Sequence, residues 1–296
     1  MLGNISVLIV GGLHDGDYVG VETLPESDSK LPRLPTLIYG SSIFQHGKDI
    51  LLCGGNGNID KCLKLDRQKY EWTYFNSMIV TRNSATVISM PSETYFLGGS
   101  GETLEATTEI LEHDNFTWHL GLEIPSANLY SGCGVKISDT EFLIIGGLFS
   151  ETRILKWNTQ DKQWHNSSIR LPYEVSNHCC ILFNKKVIVT GGTDDARNEI
   201  STTIIIDIGQ EDGGLTVRKG GDMNQSRAFH GMGIITIENI PSVIAFGGVN
   251  SNVEGGRDSI EVWNDNEETW SMFNSSLKVP NYSFGFVTLP TSLIYP

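Results

Sequence analysis

Seven histidines and five cysteines are the residues of this chain with the most scope for metal, redox or acid–base chemistry. His14, His46, His113, His119, His165, His178 and His230 are scattered, with no His-x-x-x-His pair and no Cys-x-x-Cys. A metal centre would therefore need ligands converging from distant segments, and no catalytic residue, metal or cofactor is expected. Cys53 and Cys62 close one apolar run and open the next, within disulfide reach across a single hairpin. Two small buried hydrophobes would fit the same places, so both readings stay open. Cys133, Cys179 and Cys180 fall in two further strand-like runs, and an odd total leaves one thiol over.

Charge narrows the partners. Lys+Arg of 21 against Asp+Glu of 35 leaves −14, and affinity for phosphates comes from cations, so neither nucleic acid nor an anionic membrane is expected as a partner. The apolar runs are a few residues each, far short of the roughly 20 that a spanning helix needs. The first residues show no basic n-region or long apolar stretch and read as the start of a strand, which makes the cytoplasm the default compartment. Asn-x-Ser/Thr at Asn4, Asn115, Asn166, Asn224, Asn274 and Asn281, together with a Cys53–Cys62 bridge, would instead point to an extracellular protein whose start is missing here.

The elements that hold these residues repeat. A β-type run ending in Gly-Gly occurs six times, at Gly11-Gly12, Gly54-Gly55, Gly98-Gly99, Gly146-Gly147, Gly191-Gly192 and Gly247-Gly248. The runs, such as Val7 to Val10 and Phe142 to Ile145, are continuous β-branched, aliphatic or aromatic stretches stopped by glycine, the pattern of strands buried on both faces. Trp72, Trp118, Trp164 and Trp270 follow, each seven positions after a large apolar residue: Leu65, Leu111, Trp157 and Trp263. The polar turn between the two is a short hairpin loop. One more apolar stretch precedes each doublet, and the last, Tyr282 to Leu289, stands alone at the chain end. Four strands per repeat of this period make the blades of a propeller.

The Gly-Gly doublet with an apolar residue and Trp seven apart resembles the kelch repeat, over essentially the whole chain. The resemblance implies an all-β, six-bladed kelch-type propeller of four antiparallel strands per blade, a single domain resembling stand-alone kelch propellers of invertebrates. Its blades would be 1–36 plus 281–290, 37–80, 81–126, 127–172, 173–224 and 225–280, with the C-terminal strand closing the ring beside Ser6 to Val10. Blade one lacks a Trp, and blade five has Val217 and Arg218 near the expected place. The four tryptophans should be buried between blades. No BTB or other second domain fits in the remaining residues.

Some kelch-type propellers are enzymes, and the iron-dependent ones carry Glu-x-x-x-Asp-x-x-x-His. Here Glu254 and Asp258 have the spacing but Val262 stands third, so the match fails. Kelch propellers that bind peptides use the loops entering the innermost strands and those after Gly-Gly. That face would carry Arg82, Asn83, Tyr130, His178, Arg227, His230 and Tyr282 from the former, and Asn56, Asn58, Phe149, Asp194, Arg197, Asn250 and Arg257 from the latter. A monomeric propeller binding a protein or peptide is the expectation, with Arg82 and Arg227 drawing acidic motifs. The alternative is a sugar-binding or enzymatic propeller using the central channel mouth.

Overall fold

The structure, a computed structural model, describes residues 4–14, 20–26, 31–56, 60–100, 106–125, 129–148, 152–209, 214–252 and 255–295. Blade one opens with β1 (Ile5–Val10) and β2 (Val21–Leu24). Blade two holds β3 (Ser42–His46), β4 (Asp49–Cys53), β5 (Lys61–Asp66) and β6 (Glu71–Ser77), and blade three β7 (Thr86–Ser89), β8 (Glu93–Leu97), β9 (Thr108–Glu112) and β10 (Trp118–Leu120). In blade four are β11 (Cys133–Lys136), β12 (Glu141–Ile145), β13 (Arg153–Asn158) and β14 (Gln163–Arg170). Blade five has β15 (Cys179–Phe183), β16 (Lys186–Thr190), β17 (Thr203–Ile208) and β18 (Leu215–Lys219). Blade six has β19 (Gly231–Ile237), β20 (Ile240–Phe246), β21 (Ser259–Asn264) and β22 (Thr269–Ser276). The chain then returns through β23 (Gly285–Pro290) and a single helical turn, α1 (Thr291–Ile294).

β23 pairs antiparallel with β1, Ile5 opposite Pro290 and Val10 opposite Gly285, so the last strand completes the first blade as expected. The inner strands β23, β3, β7, β11, β15 and β19 each touch the next, and the circle closes from β19 to β23. The fold is a six-bladed β-propeller. One departure concerns blade one, which has three strands among the described residues, in the order β2–β1–β23. Pro25, Pro32 and Pro35 lie where the fourth would run, and proline has no N–H for a ladder. Pro32 instead meets the neighbouring blade, accepting a hydrogen bond from Trp72 Nε1 at 3.1 Å.

The doublets join blade to blade. Each second glycine donates its N–H, at 2.7 to 2.9 Å, to a carbonyl at the entrance of the next blade: Ile38, Arg82, Leu129, Val175, Arg227 or Asn281. A side chain cannot enter this contact, since a Cβ on Gly54 would stand 2.6 Å from Arg82 O, and Gly54 is at φ +68°. The buried apolar residues divide into six clusters, one at each blade interface. Trp72, Trp118 and Trp270 are buried against the preceding blade, while Trp164 is only half-buried. In blade five Val217 stands opposite Ile206 at the tryptophan's place.

Candidate functional site

The entrances to the six inner strands share one backbone conformation. Gly40, Ser84, Ser131, Asn177, Phe229 and Ser283 all lie at φ +53 to +64°. The residue before each forms an isolated bridge with the one that follows Gly-Gly in the same blade, for example Asn83 with Ser100 and Tyr130 with Leu148. Five backbone bonds then join the six left-handed residues into a belt around the channel: Ser84 N to Gly40 O, Gly40 N to Ser283 O, Ser283 N to Phe229 O, Phe229 N to Asn177 O and Asn177 N to Ser131 O, at 2.7 to 3.1 Å. A left-handed conformation costs roughly 1–2 kcal/mol for a residue with a Cβ. The belt offsets that cost and turns the six loops towards one axis.

Inside the belt lies a cavity of about 280 Å³. Its walls alternate hydroxyl and amide groups (Ser41, Ser42, Ser84, Thr86, Ser131, Asn177) with the rings of Phe229, Phe284 and Phe286. His178 and His230 are the histidines in the wall, and both are buried. His178 Nε2 donates to Ile145 O at 3.0 Å, and His230 Nε2 lies 2.9 Å from Thr190 Oγ1. Burial pushes their pKa down to about 4 and about 3, so both rings are neutral near pH 7. Among the described residues, no three His, Cys, Asp or Glu side chains gather as a metal site. The mouth can donate and accept hydrogen bonds and stack on flat groups.

The expected binding residues separate into two sets. Asn83, Tyr130 and Tyr282 stand half-exposed around the mouth, with Asn56 and Arg197 exposed beyond them. Arg82 and Arg227, expected as cationic anchors for a partner, are 1% and 0% exposed and cannot serve as such. The residue two places before each left-handed position points away from the mouth and under the blade. There Arg82 reaches Glu109 at 3.3 Å and Gly98 O at 2.6 Å, while Arg227 reaches Glu261 at 3.1 Å and Gly247 O at 2.8 Å. Asn250 is buried too, and Arg257 is held by Ser226 O and Gln225 Oε1. Asp194 is half-buried in the turn after its doublet, its carboxylate accepting from Asn198. Asn58, Phe149 and Glu254 lie outside the described residues.

Register shows what the arginines replace. Arg82 with Glu109 and Arg227 with Glu261 occupy places that hold Ile38 with Leu63 in blade two, Leu129 with Leu155 in blade four and Val175 with Ile204 in blade five. Blade one keeps the carboxylate, Glu22, at the same register but has Asn281 in the arginine's place. Asn281 Nδ2 still bonds Gly11 O at 2.8 Å, as the arginines bond their own doublets. Glu22 Oε1 and Asn281 Oδ1 are left buried without partners. Sequence reading missed these pairs although a signal existed: Glu109 and Glu261 stand two places before Leu111 and Trp263.

Two disulfides are present. Cys53 and Cys62 are direct cross-strand partners on β4 and β5, with Cα atoms 4.1 Å apart. Cys133 joins Cys180 across the inner strands of blades four and five, Cα to Cα 5.9 Å, in the wall of the mouth. This second bridge was not foreseen; the spacing of 47 residues, about one blade, was its only trace in the sequence. Cys179 remains a buried thiol, its pKa pushed up to about 12 by burial.

Comparison with known proteins adds the following. The chain is similar to the solved "Structure of YjhT", with a TM-score of 0.69 and 14% identity, over 85% of this chain and 88% of that one. That likeness establishes the fold alone. The spermatocyte protein spe-26 of Caenorhabditis elegans is 22% identical over 216 residues, 66% of this chain and 37% of that protein, so the match spans little more than a third of the relative's length. No family model matches the chain.

Proposed function

We propose that this protein is a binding module of kelch type that takes a peptide or exposed protein loop into the channel mouth. One observation carries the reading: the belt of left-handed residues presents a concave wall of hydroxyls, amides and phenyl rings, with half-exposed Asn83, Tyr130 and Tyr282 around it. Such a wall satisfies a peptide's amides and holds an aromatic or apolar side chain, and tyrosine gives large contact area at low entropic cost. With Arg82 and Arg227 buried, selection for acidic motifs gives way to hydrogen bonding and ring contacts. Neutral His178 and His230 suit retention better than proton transfer.

The test is selection of a phage-displayed random peptide library on the intact propeller. Peptides that bind the parent should bind Tyr130→Ala/Tyr282→Ala at least about tenfold more weakly, a loss of about 1.4 kcal/mol. Equal binding by that variant, with loss on substitution of the opposite loop face, would place the site elsewhere. Binding of simple sugars at the mouth, with no peptide enriched, would favour a carbohydrate ligand.

A further inference from the structure

The geometry points to Asn166 and Asn274 as N-glycosylated positions, with glycans that shield the two longest open edges of the propeller. Both lie in Asn-x-Ser sequons, Asn166-Ser167-Ser168 and Asn274-Ser275-Ser276. They sit on β14 and β22, which end their sheets and, at eight residues each, are the longest outer strands. Both asparagines and both acceptor-site serines, Ser168 and Ser276, are exposed. Neither asparagine amide makes a hydrogen bond among the described residues, so none of these competes for Nδ2.

The other sequons give the contrast. Asn281 is fully buried with Nδ2 on Gly11 O, and Asn224 uses both Nδ2 hydrogens, on Glu261 Oε2 at 2.8 Å and on Trp270 O at 3.1 Å. A glycan on either would have to break contacts that hold a blade. Asn4 and Asn115 are exposed but lie off these edges, and Asn115 Nδ2 is engaged by Glu112.

Two independent facts connect the sequons to a compartment and a purpose. The two buried disulfides require oxidising conditions, where the lipid-diphosphate-linked oligosaccharide that glycosylates asparagine is also found. In that transfer the Asn Nδ2–C1 bond forms as the C1–O bond to the diphosphate breaks; the lipid diphosphate leaves and the amide gives up one proton. Long, open outer strands are templates for edge-to-edge pairing unless something covers them. Met272, two residues before Asn274 on the same strand, is 48% exposed and would otherwise add an apolar handle to that edge.

Protein taken from its source is digested and treated with peptide N-glycosidase in heavy-oxygen water. The expected result is heavy-labelled aspartate at positions 166 and 274 and unlabelled asparagine at 224 and 281. Unmodified asparagine at both 166 and 274 overturns the inference, as does a glycan on Asn281 in folded protein. A second arm compares secreted parent with Ser168→Ala/Ser276→Ala, which keeps both asparagines and should run lighter by two glycans. Earlier onset of aggregation in this variant is expected; unchanged aggregation would refute the shielding role.

Discussion

Replacing Arg227 by Met keeps most of the side chain's length and removes its charge. The guanidinium donates to Glu261 Oε1, to Gly247 O and Ser259 O at 2.8 and 2.9 Å, to Ser259 Oγ at 2.9 Å and to Gln225 Oε1. Glu261 is 0% exposed, so the substitution strands a carboxylate, and breaking a buried pair in this way costs about 3–5 kcal/mol. Glu261 keeps the N–H of Asn224 and of Gln225 as donors, which places the expected loss near the lower end, about 3 kcal/mol at pH 7. Equilibrium urea unfolding, with coincident fluorescence and circular dichroism transitions, reads the difference from the shift in midpoint. Adding Glu261→Leu rebuilds the apolar arrangement of blades two, four and five and should recover part of the stability, giving a coupling of at least about 1 kcal/mol. A single variant within about 0.5 kcal/mol of the parent would refute the buried-pair reading. So would a double variant that costs the sum of its parts.

Glu22→Gln should act oppositely. Burial raises the Glu22 carboxyl's pKa above its ordinary value, so its ionised form is destabilising and stability falls as pH rises through the folded-state pKa. Among the described residues Glu22 Oε2 accepts only the N–H of Lys278, at 3.0 Å, so the glutamine variant is expected to be the more stable at pH 7, with the advantage fading towards pH 4; a loss at pH 7 would mean that Lys278 outweighs the cost of burial. His178 has its pKa lowered to about 4, so its contribution is full above about pH 6.5 and is lost as pH falls through about 4, in all about 3 kcal/mol. His178→Gln should flatten that part of the pH–stability curve, and an unchanged slope would assign it to other groups. Replacing Cys133 and Cys180 together by Ala opens a crosslink with a separation of 47, worth about 4 kcal/mol in chain entropy. A fall in unfolding midpoint below that of the Cys53→Ala/Cys62→Ala protein is expected, and the reverse order would count against a closed bridge between blades four and five.

The blade plan was legible because it rests on local patterns: a buried strand, a doublet that no side chain can enter, and an aromatic at a set distance. Ring closure was legible from the lone run Tyr282 to Leu289. That only three strands of blade one stand among the described residues was legible only in part, since its prolines speak against a ladder but not for the hydrogen bond that Pro32 accepts from Trp72. The candidate site was harder to read. Arg82 and Asn83 are adjacent, yet one faces the blade interior and the other the mouth, and which is which depends on the left-handed turn at Ser84. No property of Ser84 alone announces that turn. It becomes visible only when six entrances are aligned and the second residue before each is seen to be apolar in three blades.

Phe229 is where the demands of fold and site separate. It occupies the same left-handed position as Gly40, at φ +53°, where a bulky residue is the least at ease. Its ring is half-buried and lines the cavity. Relief of the backbone strain on Phe229→Gly would return about 1–2 kcal/mol. The extra freedom of glycine in the unfolded chain takes back about 1 kcal/mol, and loss of ring contacts offsets most of the rest. Stability should therefore stay within about 1 kcal/mol of the parent, while binding of library-selected peptides falls at least about tenfold. Strain retained at a position where glycine would also serve is what the proposed peptide contact of the Phe229 ring leads one to expect. A glycine variant that unfolds readily would mean that the ring supports the belt itself, and unchanged binding would remove Phe229 from the site.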